Sequence, residues 1–161
     1  MKLLNQDEIQ EVFFRAMLAG WANNVDVIQF ADLPGSCGHQ YIDGKFKVLD
    51  QFIVNPRSNK SSGTTIIWYD QIPVWVMHYG GWYQKRAIPF LKKCLCSAYE
   101  SKTFRGGRGL GCVEGKKLTY FNLIEEASTF RCFKGKEGIF ADAKCIGNHW
   151  YRGMTLIGNG A

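Results

Sequence analysis

Two histidines lie in aromatic and glycine-rich stretches whose residue types can do chemistry. His78 lies in IPVWVMHYGGWY and His149 in KCIGNHWYRGMT. A histidine exchanges protons near neutral pH, and glycine beside aromatic residues lets a ligand approach the backbone closely. We therefore predict a ligand-binding site near these strand ends, made of the following aromatic, histidine and arginine side chains: Trp75, His78, Tyr79, Trp82, Tyr151 and Arg152.

A basic, glycine-rich loop is a second candidate site. In FRGGRGLG, Arg105 and Arg108 stand among glycines whose successive backbone N–H groups can surround an anion. The glycine spacing matches neither a dinucleotide-binding motif nor a P-loop, and no strand-to-helix pattern accompanies it. Arg105 and Arg108 are therefore candidate anion-binding residues, and a flexible turn is the alternative.

Cysteine usage and the first residues indicate a reducing compartment. MKLLNQDEIQ has too short an apolar run for a signal peptide or a membrane span, so we expect a cytoplasmic protein without membrane contact. The six cysteines are dispersed without CxxC spacing, which favours reduced, mostly buried thiols over disulfides or zinc. Neither GxSxG nor HExxH occurs, and no metal or cofactor is predicted.

The net charge of +6 is unevenly distributed along the chain. Residues 1–84 carry a net charge of −2 and residues 85–161 carry +8. A basic C-terminal half can attract nucleic acid, although a solvated lysine surface has the same composition and no nucleic-acid motif accompanies it. Nucleic acid is therefore one candidate partner among others.

Two helices and four hairpins must position these side chains. Asn5 followed by Glu8 is typical of a capping box before one amphipathic helix, and Ile88-Pro89 begins a second. Period-two segments predict hairpins whose turns lie at four dipeptides: Asp43-Gly44, Asp70-Gln71, Glu114-Gly115 and Asp142-Ala143. The fold class is α+β, with two helices packed on a twisted antiparallel sheet.

The turn spacing predicts an internally duplicated helix-hairpin-hairpin unit. The first two turns lie 27 residues apart and the last two 28, and a Tyr and a Gly follow each second turn at nine and eleven residues. We expect one compact domain over 1–161, with halves of roughly 5–83 and 86–157. His78 then corresponds to Trp150, which indicates a packing position, and the apolar strand that contains it should be covered on both faces.

Two quoted stretches, IIWYDQIPVWVMHYGG and KGKEGIFADAKCIGNHWYRGM, resemble a bacterial family known only as a domain of unknown function. The family occurs alone or behind helix-turn-helix DNA-binding domains, and the resemblance implies no established activity. This sequence departs from the pattern at His78, where the family has Asn, and at Asp142-Ala143, where it has Asn-Gly. The first departure weakens a general-base role for His78. The resemblance extends over residues 14–22, 71–81, 90–95, 105–107 and 137–154.

Three functions are consistent with the sequence. The leading hypothesis is a non-enzymatic module that binds a small molecule or a protein partner. The second is an enzyme in which His78 or His149 is the acid/base and Arg105 or Arg152 binds an anion. The third is nucleic-acid binding through the basic C-terminal half.

Overall fold

A computed structural model of the chain describes residues 4–158 and contains two α-helices and nine strands. The helices are α1 (Gln6–Leu18) and α2 (Ile88–Glu100). The strands are β1 (Ile28–Gln29), β2 (Ser36–Asp43), β3 (Phe46–Val54), β4 (Lys60–Tyr69), β5 (Ile72–Tyr83), β6 (Cys112–Glu114), β7 (Leu118–Ile124), β8 (Cys132–Ala141) and β9 (Lys144–Thr155). The predicted α+β class and both predicted helices are confirmed.

Local sequence signals account for where the two helices begin. The Asn5 side chain accepts a hydrogen bond from the backbone N–H of Asp7 at 3.1 Å, and Glu8 accepts one from the N–H of Asn5 at 3.3 Å. This capping box satisfies backbone donors that have no partner within the helix. At the start of α2, Pro89 occupies the first turn, where the missing N–H costs nothing.

The nine strands form one antiparallel sheet in the order β1-β2-β3-β4-β5-β9-β8-β7-β6. The strands that follow α1 form one meander and those that follow α2 form another. The two meanders meet where β5 pairs with β9, and Tyr79 lies directly opposite Tyr151 at that junction. The last strands of the two predicted halves therefore lie side by side at the centre of the sheet.

Two of the hairpin turns lie at the predicted dipeptides, Asp70-Gln71 and Asp142-Ala143, whereas the first lies one residue later than predicted, at Gly44-Lys45. Asp70 and Gln71 both have positive φ, at 51° and 67°, as a two-residue turn between twisted strands requires. Gly44 has φ 57° and Asp142 has φ 52°. The turn predicted at Glu114-Gly115 is longer than two residues: Glu114 is the last residue of β6, and residues 115–117 connect it to β7.

A β-bulge changes the register that a regular two-residue hairpin implies for β4 and β5. The register shifts between Ile67 and Trp68, so Gly63 lies opposite Tyr79 and not opposite His78. A bulge adds one residue to one strand and so moves every later pair by one position. Thr64 is the residue opposite His78.

Both helices cover one face of the sheet, which we call the helix face; the other is the open face. Trp75 of β5 is fully buried on the helix face and contacts Phe13 of α1 with 5.1 Å between ring centroids. His78 is exposed on the open face, and Trp150 is 51% exposed there. The predictions that β5 is covered on both faces and that His78 takes a packing position are therefore wrong.

The cysteines are all free, and they differ in exposure. Cys37 and Cys94 are buried, Cys96 and Cys145 are half-buried, and Cys112 and Cys132 are exposed. Burial raises the pKa of Cys94 to about 12, which keeps that thiol protonated and unreactive. Among residues 4–158, no helix is both long and apolar enough to span a lipid bilayer.

The close contact between Gly63 and Tyr79 generates a stability prediction. A Cβ atom at Gly63 would stand 2.5 Å from Cζ and Oη of Tyr79. Moving the ring away would cost free energy, because its hydroxyl donates a hydrogen bond to Asp50. We expect Gly63→Ala to lower the free energy of unfolding by about 1–3 kcal/mol in urea denaturation.

The control for this substitution is Gly158→Ala, where a Cβ would meet no atom within 4 Å. It should change the free energy of unfolding by less than about 0.5 kcal/mol. Equal stability of the two variants would contradict the packing described for Tyr79.

Candidate functional site

A cavity of about 400 Å³ lies between the two helices and the first meander. Its volume is in the range of small-molecule sites. Side chains of β2 to β5 and β9 form the floor, and the end of α1, the turn after it and α2 form the roof. Most of the wall is apolar or aromatic, and includes Met17, Trp21, Val48, Phe52, Met77, Tyr83, Leu91, Leu95 and Tyr99.

Asp50 is the acidic group on the cavity floor. Its Oδ1 accepts hydrogen bonds from Thr65 Oγ1 at 2.7 Å and from Tyr79 Oη at 2.8 Å. Burial raises the pKa of Asp50, although both hydrogen bonds and the charge of Arg108 favour its ionised form. Among residues 4–158, no donor reaches its Oδ2. The second oxygen is therefore left for a group inside the cavity.

A buried ion pair stands beside the cavity. Arg108, which lines it, donates from Nε to Glu137 Oε1 at 2.9 Å and again from Nη2. Tyr83 donates to Oε1 of Glu137 at 3.0 Å, and Tyr120 donates to Oε2. Burial alone would raise the pKa of Glu137, but the charge and hydrogen bonds of Arg108 outweigh it, so the pKa is lowered. Glu137 is therefore a structural carboxylate whose two oxygens are both engaged.

Two buried histidines line the cavity, and each has a buried ring nitrogen without a hydrogen-bond partner among residues 4–158. His149 Nε2 lies 3.2 Å from Ser61 Oγ, whereas its Nδ1 is buried without a hydrogen bond. Burial, followed by the charge of Arg108, lowers the pKa of His149 to about 4. His39 lies opposite Asp50 across β2 and β3; its Nε2 has no partner, and burial lowers its pKa. Both imidazoles are therefore neutral at pH 7.

The six residues predicted for the ligand site lie on two faces of the sheet. Trp75, Tyr79 and Tyr151 are buried on the helix face, and only Tyr79 among the six lines the cavity. The other three lie on the open face: His78, Trp82 and Arg152. His78 and Arg152 border a shallow depression there, where Thr64 Oγ1 lies 3.0 Å from Nδ1 of His78.

The glycine loop is packed into the interior. A Cβ at Gly107 would stand 3.0 Å from Met77 and Phe13, and one at Gly109 would stand 2.7 Å from Tyr120. Its glycines therefore permit close packing, and the alternative of a flexible turn is wrong for the buried segment 106–109. Of the two candidate anion-binding residues, Arg108 already binds Glu137, and Arg105 is half-buried with an unpartnered Nε.

Sequence reasoning missed His39, Asp50 and Glu137. A signal was present for Asp50, because period-two alternation places it on the same face as the apolar residues Val48 and Phe52. An acid within an apolar strand face is a candidate for a buried functional group. No comparable local signal connects Glu137 with Arg108, because they lie on separate elements.

The ion pair predicts a large difference between two Glu→Gln substitutions. Glu137→Gln leaves Arg108 buried without a counter-charge, so we expect a loss of about 3–5 kcal/mol in the free energy of unfolding. Glu125→Gln is the control, because its partner Lys134 and Glu125 itself are 62% and 56% exposed. That substitution should cost less than about 1 kcal/mol. Urea denaturation of both variants measures the difference, and similar losses would contradict the role assigned to Glu137.

Comparison with known proteins places the chain in a family but assigns it no activity. No curated protein and no solved structure matches it. A family model described as a domain of unknown function, DUF5680, matches residues 57–156. The matched range contains Arg108, Glu137 and His149 but not His39 or Asp50. Because the match covers more than half of the sequence, the chain belongs to the family of the domain of unknown function DUF5680.

Proposed function

We propose that the protein binds a small organic molecule in the cavity on the helix face. The observation that carries this proposal is the convergence of three polar side chains on one largely apolar cavity: Asp50, whose Oδ2 receives no hydrogen bond from residues 4–158, and His39 and His149, each with a buried ring nitrogen that has no hydrogen-bond partner there. Buried polar groups in folded proteins are nearly always hydrogen-bonded, since leaving one unpaired costs about 1–3 kcal/mol. A few polar groups that converge on one apolar cavity are typical of small-molecule sites.

The geometry favours binding over catalysis. Ser61 and His149 are within hydrogen-bond distance, as in a nucleophile and its base. The third group of such a triad is missing, because Glu137 lies opposite His149 but uses both oxygens for other partners. With a pKa of about 4, His149 is also a weak base at neutral pH. These points support a binding module that holds its ligand without a chemical step.

The correspondence between the two meanders supports the further proposal that they arose by duplication. Phe46 pairs with Tyr69 as Leu118 pairs with Ala141, a constant offset of 72 residues. The bulges of β4/β5 and β8/β9 fall at the same offset, after Ile67 and Ile139. Under this proposal only the first copy kept a cavity, whereas the glycine loop fills the matching space in the second.

A second candidate function is binding of single-stranded nucleic acid on the open face. Trp150, 51% exposed, lies beside Lys136 of β8, and Arg152 lies between His78 and Lys134. Exposed aromatic rings beside cations suit stacked bases and their phosphates. This row of side chains is separate from the cavity, so the two functions can be tested independently.

The cavity proposal predicts that filling the space abolishes small-molecule binding. Val48 lies on the floor and Ala16 on the roof, both buried. Val48→Phe and Ala16→Leu place added atoms where the ligand would lie. In a thermal-shift screen of small aromatic and aliphatic compounds, hits on the wild-type chain should be lost in both variants.

Trp150→Ala on the open face is the matched control for this screen, and it should retain every hit. Circular dichroism verifies that each variant is folded. Hits that persist in both cavity variants, or a screen without hits, would refute the proposal.

The nucleic-acid candidate predicts that charge reversal on the open face weakens the binding of an oligonucleotide. The combined Lys136→Glu and Arg152→Glu variant should bind a labelled single-stranded oligonucleotide at least about tenfold more weakly in fluorescence anisotropy. Lys93→Glu, on the exposed side of α2 and away from the open face, is the charge-reversal control and should change binding little. Wild-type affinity should fall steeply as salt rises. Absence of binding at low salt would exclude this function.

A further inference from the structure

We propose that the ligand of the cavity carries a positively charged nitrogen, which pairs with the free carboxylate oxygen of Asp50. This inference rests on the proposed small-molecule function and names the chemical class of its ligand. Three observations carry it: the asymmetry between Asp50 and its counterpart in the second meander, the balance of charges around the cavity, and the aromatic wall.

The counterpart of Asp50 at the 72-residue offset is Asn122, and the two side chains differ in what they leave unpaired. Each accepts a hydrogen bond through Oδ1 from the tyrosine at the corresponding place, Tyr79 or Tyr151. Asn122 also uses Nδ2, which donates to the carbonyl oxygens of Arg105 and Gly109 and so holds the glycine loop in place.

Asp50 has no such loop above it. Its Oδ2 finds no donor among residues 4–158, and Asp50 lines the cavity in the place that the glycine loop fills in the second meander. Asn122 is therefore fully used in holding structure together, whereas half of the hydrogen-bonding capacity of Asp50 remains available to a ligand.

Charge balance around the cavity favours a cation. The guanidinium of Arg108 is matched by Glu137, and both histidines are neutral. Asp50 is left as the charge without an opposite partner. A half-buried carboxylate without a counter-charge is costly, so a cationic ligand offsets this cost and an anionic ligand increases it.

The lysines near the cavity do not neutralise Asp50. Lys92 donates from Nζ to Asn24 and lies over the ring of Trp21, 4.4 Å from its centroid. Lys85 is exposed at the rim. The closest cross-strand neighbours of Asp50 on the helix face are His39 and Thr65, neither of them charged.

The aromatic wall provides a second attraction for a cation. Ring faces attract positive charge electrostatically, more strongly where water is excluded. Two rings that line the cavity already make cation–π contacts within the protein. Lys92 lies over Trp21, and Arg108 lies 5.3 Å from the ring centroid of Tyr79. Further rings are present for the ligand itself, namely Tyr41, Phe52, Tyr83 and Tyr99.

The test compares three probes that share one aromatic body and differ in charge: tryptamine (cation), tryptophol (neutral) and indole-3-acetate (anion). Isothermal titration calorimetry at neutral pH with the full chain should give the order tryptamine, tryptophol, indole-3-acetate. We expect tryptamine to bind at least about tenfold more tightly than tryptophol, which corresponds to about 1.4 kcal/mol.

Asp50→Asn should abolish the preference, so that tryptamine and tryptophol bind this variant with similar affinity. The substitution introduces the side chain that the second meander carries at Asn122, and its amide oxygen can still accept from Thr65 and Tyr79. Asp43→Asn is the control, because that carboxylate pairs with Arg15 on the surface. It should leave the preference for tryptamine unchanged.

The outcomes separate this inference from the proposed function. Equal binding of the three probes, or tightest binding of indole-3-acetate, overturns the cation assignment while binding in the cavity stands. A tenfold preference that survives Asp50→Asn also overturns it. If none of the three binds the wild-type chain, the inference and the proposed function fail together for ligands of this size.

Discussion

The buried carboxylate of Glu137 is the interaction on which the arrangement of the site depends. It accepts hydrogen bonds from Arg108 in the loop after α2, from Tyr83 at the end of β5 and from Tyr120 of β7. One side chain of β8 thus connects the glycine loop with both meanders. A buried ion pair is stabilising only when further hydrogen bonds compensate for the loss of water, and both oxygens of Glu137 have such partners.

The position of the glycine loop explains why the interiors of the two meanders differ. In the second meander the loop packs against Tyr120 and is held by Asn122, so the space above the sheet is filled. In the first meander no loop of residues 4–158 enters the corresponding space, which leaves the cavity open above Asp50. Two meanders with matching strand registers therefore enclose different interiors, and the cavity lies beside the first.

The sequence allowed the helices and hairpins to be predicted but not the composition of the site. Asn5 and Glu8 form a capping box three residues apart, and Gly44 begins a tight turn one residue after the predicted position, because both signals act between near neighbours. The exposure of His78 was not predictable in the same way. The bulge after Ile67 shifts the pairing of β5, and whether a second layer covers that strand depends on the whole fold.

The sequence by itself determined the α+β class, the starts of both helices and the positions of the turns to within about one residue, since each depends on contacts within a few residues. Only the tertiary structure decided which side chains meet in the cavity. His39, Asp50 and His149 come from β2, β3 and β9, and Arg108 reaches the same space from a loop. Strand pairing and helix packing bring them together across long stretches of chain, and no local pattern specifies such contacts.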